Sequence, residues 1–460
     1  MSTTSHRNAG KAAGESARRA ATKKAAAKQA GSKPAAAGKL SNKRITIRMY
    51  NVGFGDAFLL AFPAPDRPRK VLIDCGVHFA GTNPQAPLAR LVEQIVNDVT
   101  EGGTPRIDLV ICTHRHQDHV EGFSNPLWQT VEVGEVWMPW TEDYSNPDAR
   151  KILEAQSTKA KKLTLVLDKM LAQPARFGLN AKRAKELELL KAFSANSLSN
   201  TEAMATLHDG FKGGKNIPRR YLPYEKRNDN SFGPEFLPGV TVHVMGPSRD
   251  PEVIRDMNPS SNEQWLRFME TRLAPDYRAH RPFAEGWAKD FDELKKDDPL
   301  RDLLSKEELK AIETIGDGTE FSVAVKLEQA VNGTSLMMMF EMGKARLLFP
   351  GDAQNGTWKA ALADPEWRAL MAQTNFYKVG HHGSHNATPR EFVSDVLPKG
   401  FKAMASVRPI QMFQFIPKAE LMQALKKKSS KIARSDKPDE DPSGFTRNAA
   451  DYYVETQVSI

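Results

Sequence analysis

The stretch IDLVICTHRHQDH, residues 107–119, constrains the fold more tightly than any other part of the chain. Its first half is a short run, apolar but for Asp108, the pattern of a strand covered on both faces. Its second half sets His114, His116, Asp118 and His119 within six residues, in a chain with 11 histidines among 460 residues. A polar loop with satisfied histidines is the bland alternative, but this density directly after a buried strand argues against it. Side chains two apart at a strand end point the same way, so His114 and His116 face one point. Asp118 and His119 can turn back from the opening of a helix towards a second. Imidazole and carboxylate donors together suit Zn²⁺, Mn²⁺ or iron, whereas an all-oxygen set would suit Mg²⁺ or Ca²⁺.

Cysteine takes no part in such a cage. The chain has two, Cys75 and Cys112, each closing an apolar run (VLIDC and IDLVIC), where a thiol is a small packing group. A Cys-based zinc site is excluded by count, and a disulfide framework is not expected. The length allows one large elaborated domain or two medium ones. No apolar run approaches the ~20 residues that cross a bilayer, and no signal-peptide apolar region opens the chain. The expectation is a soluble, cytoplasmic protein without a membrane span.

The formal charge of +9 is unevenly placed. Residues 1–44 carry eleven Lys/Arg and one acid, Glu15, a net +10, which leaves the other 416 residues at −1. That segment is rich in Ala, Lys, Gly and Ser and has almost no large apolar side chains. It is predicted to be a disordered basic tail, because it cannot bury enough surface to offset its ordering entropy. It is either a solubilising leader or a sequence-blind contact for a polyanion such as nucleic acid.

Beyond the tail, ITIRMYNV, AFLLAF and KVLIDCG read as strands joined by Gly/Asp turns, a hairpin pattern. PLARLVEQIVNDV reads as a helix with Leu88, Leu91, Ile95 and Val96 on one face. Residues 141–320 read as mainly helical insertions around a persisting sheet. Ile152, Ala155, Leu163, Leu167 and Met170 keep helical spacing up to Pro174, and Ala184, Leu187 and Leu190 suggest another helix. Residues 260–263 resemble a capping box before Trp265, Phe268 and Met269. VTVHVMGP (240–247) is strand-like. FSVAVKLEQ, SLMMMFEMG, ARLLFPGD, NFYKVG and AMASVRP are further strand candidates, and PKAELMQALKKK is a late helix.

HRHQDH fits the HxHxDH signature of the metallo-β-lactamase superfamily. MYNVGFGDAFLL…VLIDCG, LLFPGDA, KVGHHGSHNAT and ASVRP followed by Pro417 are similar to segments of its ComEC/Rec2-like branch, the nuclease-like domain of DNA-uptake proteins. The resemblance runs from about residue 45 to 420, with the insertions left uncovered. It implies an α/β (α+β) fold, an αββα sandwich over residues 45–460 with metals at one end of the packed sheets.

The resemblance also implies roles. His114, His116 and Asp352 would hold a first ion; Asp118, His119, Asp352 and His382 would hold a second, with Asp352 bridging. The cofactors would be two divalent ions, zinc or manganese. Many relatives supply a further strand histidine; here Pro247 stands near its place, and His243, inside the strand, reads as packed, so the first site has fewer ligands and single occupancy stays open. Adjacent His381 and His382 diverge, so one is a ligand, with His382 favoured, and the other, read as His381, meets substrate as phosphate contact or proton donor; the exchanged assignment stays open. Asp74 would support a ligating imidazole, and Asp56 would do likewise or close its turn. Ser384 and His385 either reach substrate or belong to a solvated loop. Lys378 carries no argued role.

The favoured activity is phosphoester hydrolysis, by a phosphodiesterase or nuclease acting on DNA or RNA. Paired cations lower the pKa of a bridging water to about 7, Asp118 would orient that hydroxide, and His381 would assist the leaving oxygen. Two alternatives stand beside it. One keeps the metal but cleaves a lactone, thioester, sulfate ester or β-lactam, since a fold does not assign a substrate. The other is a nucleic-acid or protein binding module with a vestigial site.

Overall fold

The computed structural model describes residues 44–78, 81–175, 200–256, 330–410 and 416–460, with scattered positions between 179 and 191. The expectations for the tail before residue 44, the capping box at 260–263 and the strand FSVAVKLEQ lie outside the described residues.

The described residues open on three antiparallel strands, β1 (Arg44–Tyr50), β2 (Ala57–Phe62) and β3 (Arg69–Cys75). After helix α1 (Leu88–Asp98) come the two-residue β4 (Thr100–Glu101), β5 (Thr104–Ile111), the short helix α2 (Gln117–Val120) and β6 (Glu132–Pro139). Helix α3 (Pro147–Ala172) is followed by β7 (Arg219–Leu222), β8 (Ser231–Phe232) and β9 (Thr241–Gly246). The second half of the described chain gives β10 (Met337–Met342), β11 (Ala345–Phe349), α4 (Asn355–Ala363), α5 (Pro365–Met371), β12 (Phe376–Lys378) and β13 (Lys402–Ala405). Helix α6 (Ala419–Lys428), β14 (Lys431–Arg434), β15 (Phe445–Arg447) and β16 (Tyr453–Ser459) complete it.

These strands form two sheets. One runs β15-β16-β1-β2-β3-β5-β6-β7, with β4 on β5; the other runs β14-β13-β12-β11-β10-β9-β8. Alternation along the strands decides what each face meets. Ile47, Phe58, Ile73, Leu109 and Trp137 of the first sheet share a core with Val242, Met338, Phe340, Leu347 and Phe349 of the second. On the outer face of the first sheet, Leu91, Val92 and Ile95 of α1 pack with Leu59, Leu72 and Val110. On the outer face of the second, Trp358, Met371, Leu421 and Leu425 from α4, α5 and α6 pack with Met339, Leu348 and Tyr377. The layers are helix, sheet, sheet, helix, the αββα sandwich that the sequence implied. Both cysteines are buried free thiols. Among the described residues no helix is long and apolar enough to cross a membrane.

The described part of the insertion region is both helical and extended. Asn146 caps α3 by accepting from the amides of Asp148 and Ala149, and the helix stops at Ala172, ahead of Pro174. Residues 200–256, however, also supply edge strands to both sheets through β7 and β8.

Strand direction positions the site. β3, β5 and β6 are parallel neighbours, as are β11, β12 and β13, so each sheet sends several carboxyl ends to the same edge. β2 runs against β3 with Ala57 opposite Cys75, which brings Asp56 to the end where Asp74 lies. Loops at the carboxyl ends of parallel strands are where such sheets carry ligands.

Candidate metal centre

Each side chain of the site leaves one of these strand ends. Asp74, next to last in β3, is held at a φ of 57°, unusual for a residue with a side chain. Its carboxylate accepts from the Thr113 amide at 2.7 Å, the Thr113 hydroxyl at 2.6 Å and His119 Nδ1 at 2.8 Å. Asp74 thus accepts from Nδ1–H of His119 and turns Nε2 towards Asp352 Oδ2, 3.2 Å away, and Asp118 Oδ2, 3.8 Å away. Two positions further on the residue must be small: a Cβ on Gly76 would lie 2.4 Å from the backbone of Gln117 and of His119. The β3 end is therefore pressed directly against the HRHQDH loop.

His381 and His382 follow β12 with φ values of 45° and 53°, two successive left-handed residues that carry side chains. That backbone drives them apart. His382 is fully buried; its Nδ1 donates to the Ser406 carbonyl at 2.8 Å, and because a carbonyl only accepts, Nε2 is left to face Asp118 Oδ2 at 3.1 Å. His381 keeps 19% of its side chain exposed and points Nε2 at Asp352 Oδ2 from 3.7 Å.

One donor atom each from Asp118, His119, Asp352 and His382 lies within 4.8 Å of the others, and all four residues are buried. Ligands of a single zinc-sized ion, each at about 2.0–2.1 Å, stand roughly 3–3.5 Å from one another. The closest pairs here, at 3.1 and 3.2 Å, match that spacing, and the 3.8 and 4.0 Å pairs need only a small contraction. The donor set fits a divalent ion. His114 and His116 form an adjoining pair, with His114 Nε2 and His116 Nδ1 3.0 Å apart and the His114 ring 4.1 Å from that of His119.

The electrostatics agree with a cation site. Burial, then the neighbouring histidines, hold His114 well below its ordinary pKa, and burial takes His116 down to about 4, so both are neutral donors. Burial works against ionised Asp118 and Asp352, but the charge of His119 and other neighbours overrides it and keeps both carboxyls well below their usual range. Burial likewise opposes a charged His119, yet Asp352, Asp118 and Asp74 raise it far above 6.5. The carboxylates that hold a proton on His119 are the charges an ion would take over, with release of that proton.

Asp56 lies against the same group. Its amide donates to the Asp118 carbonyl at 2.8 Å, and its carboxylate is 3.8 Å from both His119 Nδ1 and His382 Nδ1. Ser384 is buried and directs its hydroxyl to Asn386 within the loop, while His385 is half-buried. His243 engages Ser231 and Glu341, each at 2.9 Å, so both ring nitrogens are committed inside its sheet. Three residues of the site had no signal in the sequence. Asn332, 2% exposed, donates from Nδ2 to His381 Nε2 at 3.3 Å. His78 is buried beside Phe54, whose ring lies 4.4 Å from that of His382. Lys378 contacts Asp56 and Asp352.

Two predictions follow from these contacts. Asp74→Asn removes the acceptor that orients His119 and is expected to weaken zinc binding by about 10–100-fold; an unchanged affinity in a chelator competition would refute the orienting role. The second concerns the brace around Arg115, which pairs with buried Glu142 at 3.6 Å and whose carbonyl accepts from Asn200. Close by in sequence, Tyr144 stacks on His208 with centroids 4.4 Å apart. Burial, then Arg219, hold His208 down to about 4 in the fold, against 6.5 when unfolded. Between those values the unfolded chain takes up a proton that the folded chain refuses, so stability falls as pH drops from 6.5 to 4. His208→Gln should make that decline shallower in urea midpoints measured across the range, and parallel slopes would contradict it.

No family model matches the sequence, and no curated protein matches it. Among solved structures the chain is similar to zinc-bound PqqB from Methylobacterium extorquens, at 11% identity over 85% of this chain and 98% of that one, with a TM-score of 0.34. Similarity at that level adds nothing to the strand order, which carries the architecture by itself.

Proposed function

We propose that the chain is a metal-dependent hydrolase of phosphoesters, with nucleic-acid phosphodiesters as the leading substrate class. The convergence of Asp118, His119, Asp352 and His382 from three separate strand ends carries the reading. Those four residues would hold one ion, and His114 with His116, sharing Asp352, would hold a second. When bound, such ions supply an acidified water and neutralise charge on the ester oxygens.

The chain's own groups supply the rest. Asp118, held by His382, would accept a hydrogen bond from the attacking water and so orient it. His381 touches the donor group through Asp352 and keeps part of its ring in solvent. It would give a proton to the departing oxygen. Asp74, Ser406 and Asn332 each fix one imidazole. The choice of phosphoester over other bonds is supported by the resemblance of KVGHHGSH to phosphoesterase loops and by the ten net positive charges of residues 1–44.

The test uses the purified full chain. It should retain zinc or manganese by elemental analysis and hydrolyse bis(p-nitrophenyl) phosphate and single-stranded DNA, with loss of both activities in chelator and return on adding metal. Turnover confined to carboxylic esters or lactones would remove the phosphoester assignment, and a protein that retains no transition metal would remove the hydrolase itself.

A further inference from the structure

Lys378 ends β12 and is 2% exposed. An ammonium so deep in a protein is costly unless it is paired and hydrogen-bonded. Its Nζ contacts Asp56 Oδ2, lies 3.5 Å from Asp352 Oδ1 and 3.3 Å from the Gly351 carbonyl. The two oxygens of Asp352 are thereby divided. Oδ1 belongs to the lysine, while Oδ2 faces His119, His381 and His382 at 3.2, 3.7 and 4.0 Å. A second group of donors, Asp56, Asp74 and His119, is also close enough to hold an ion. That group shares Asp56 with the lysine and His119 with the first group, so the two cannot be filled independently.

We propose that Lys378 is a positioning residue for metal binding: its ammonium holds Oδ1 of Asp352 so that Oδ2 faces the ion, and by neutralising Asp56 it directs that ion to Asp118, His119, Asp352 and His382 rather than to Asp56, Asp74 and His119. This rests on Asp352 being a ligand. At 2% exposure the lysine acts through the carboxylate. A compact point charge on a flexible stem suits a contact shared between two carboxylates, where a planar guanidinium would need more room.

The experiment is a zinc titration of metal-free full-length protein against a chromophoric chelator, with the melting of each metal-free protein as a second readout. Lys378→Met is expected to bind zinc about 10–100-fold more weakly than wild type. It also leaves buried Asp56 without its lysine partner, so it is paired with Asp56→Asn and with the double variant, in which the whole Lys–Asp pair is neutral. If the lysine only satisfies Asp56, the double variant binds zinc as tightly as Asp56→Asn, which overturns the proposal. If the lysine positions Asp352, the double variant stays at least about tenfold weaker than Asp56→Asn while melting at a similar temperature. Should Lys378→Met fail to fold, that last comparison still decides. Failure of wild type itself to bind zinc would instead refute Asp352 as a ligand, and the proposal would fall with it.

Discussion

Alanine at position 352 is expected to release the ion from the four-donor group and to slow phosphodiester hydrolysis by a factor of about a thousand or more, the equivalent of ~4 kcal/mol of transition-state stabilisation. Asp352 is singled out because its one carboxylate meets His119, His381, His382 and Lys378 together. Removing it takes away the shared negative charge and one of the two carboxylates that Lys378 contacts, so a loss of stability is expected as well. The comparison should therefore include Asp352→Asn, which keeps the shape, and Asp118→Ala. Asp118 meets His382 at 3.1 Å and His119 at 3.8 Å but makes no contact with the lysine, so its loss should cost activity with less stability. Metal content and the rate on bis(p-nitrophenyl) phosphate check the outcome, below the melting temperature of the weakest variant. An Asp352→Ala protein that keeps its metal and its rate would end the proposed mechanism.

Phe349→Ala is expected to cost about 3–5 kcal/mol of folding free energy, the range for deleting a fully buried aromatic ring. Phe349 ends β11 and is 1% exposed. Its ring meets Phe58 of the opposite sheet edge-on, with centroids 5.6 Å apart at 82°, and lies 6.1 Å from Phe340 and 5.5 Å from Phe376 in its own sheet. The cavity would open in the layer that joins the two sheets, where neighbouring strands cannot move inward separately. Urea unfolding measures the change, with Leu165→Ala as reference. Leu165 is 47% exposed on α3, and its truncation should stay within about 0.5 kcal/mol of wild type. Equal midpoints for the two variants would mean that the inter-sheet core is not where the stability lies.

Much of this was legible along the chain. The run IDLVIC is a strand covered on both sides because every residue from Ile107 to Ile111 is apolar or ends in the core, Asp108 excepted, and Asp108 pairs with Arg67. His114, His116, Asp118 and His119 stand where that strand stops, and Asp352 follows RLLFPG just as directly. The αββα layering was reached through resemblance to a known signature, and the strand order bears it out. The C-terminal strand is a different case. β16 lies between β1 and β15, with Arg44 opposite Ser459, and nothing in YVETQVS names a partner hundreds of residues away.

Periodicity and donor type are local properties, so the amino-acid order alone determined that this chain has strands ending in imidazoles and carboxylates. Which atoms meet was decided only in three dimensions. Two left-handed backbone residues turn His382 inward and leave His381 partly exposed; a lysine with no distinctive spacing takes one oxygen of Asp352; Asn332 and Ser406 fix rings far from them in sequence. These choices depend on backbone angles and on strand pairings made at long range, and no window of sequence contains either.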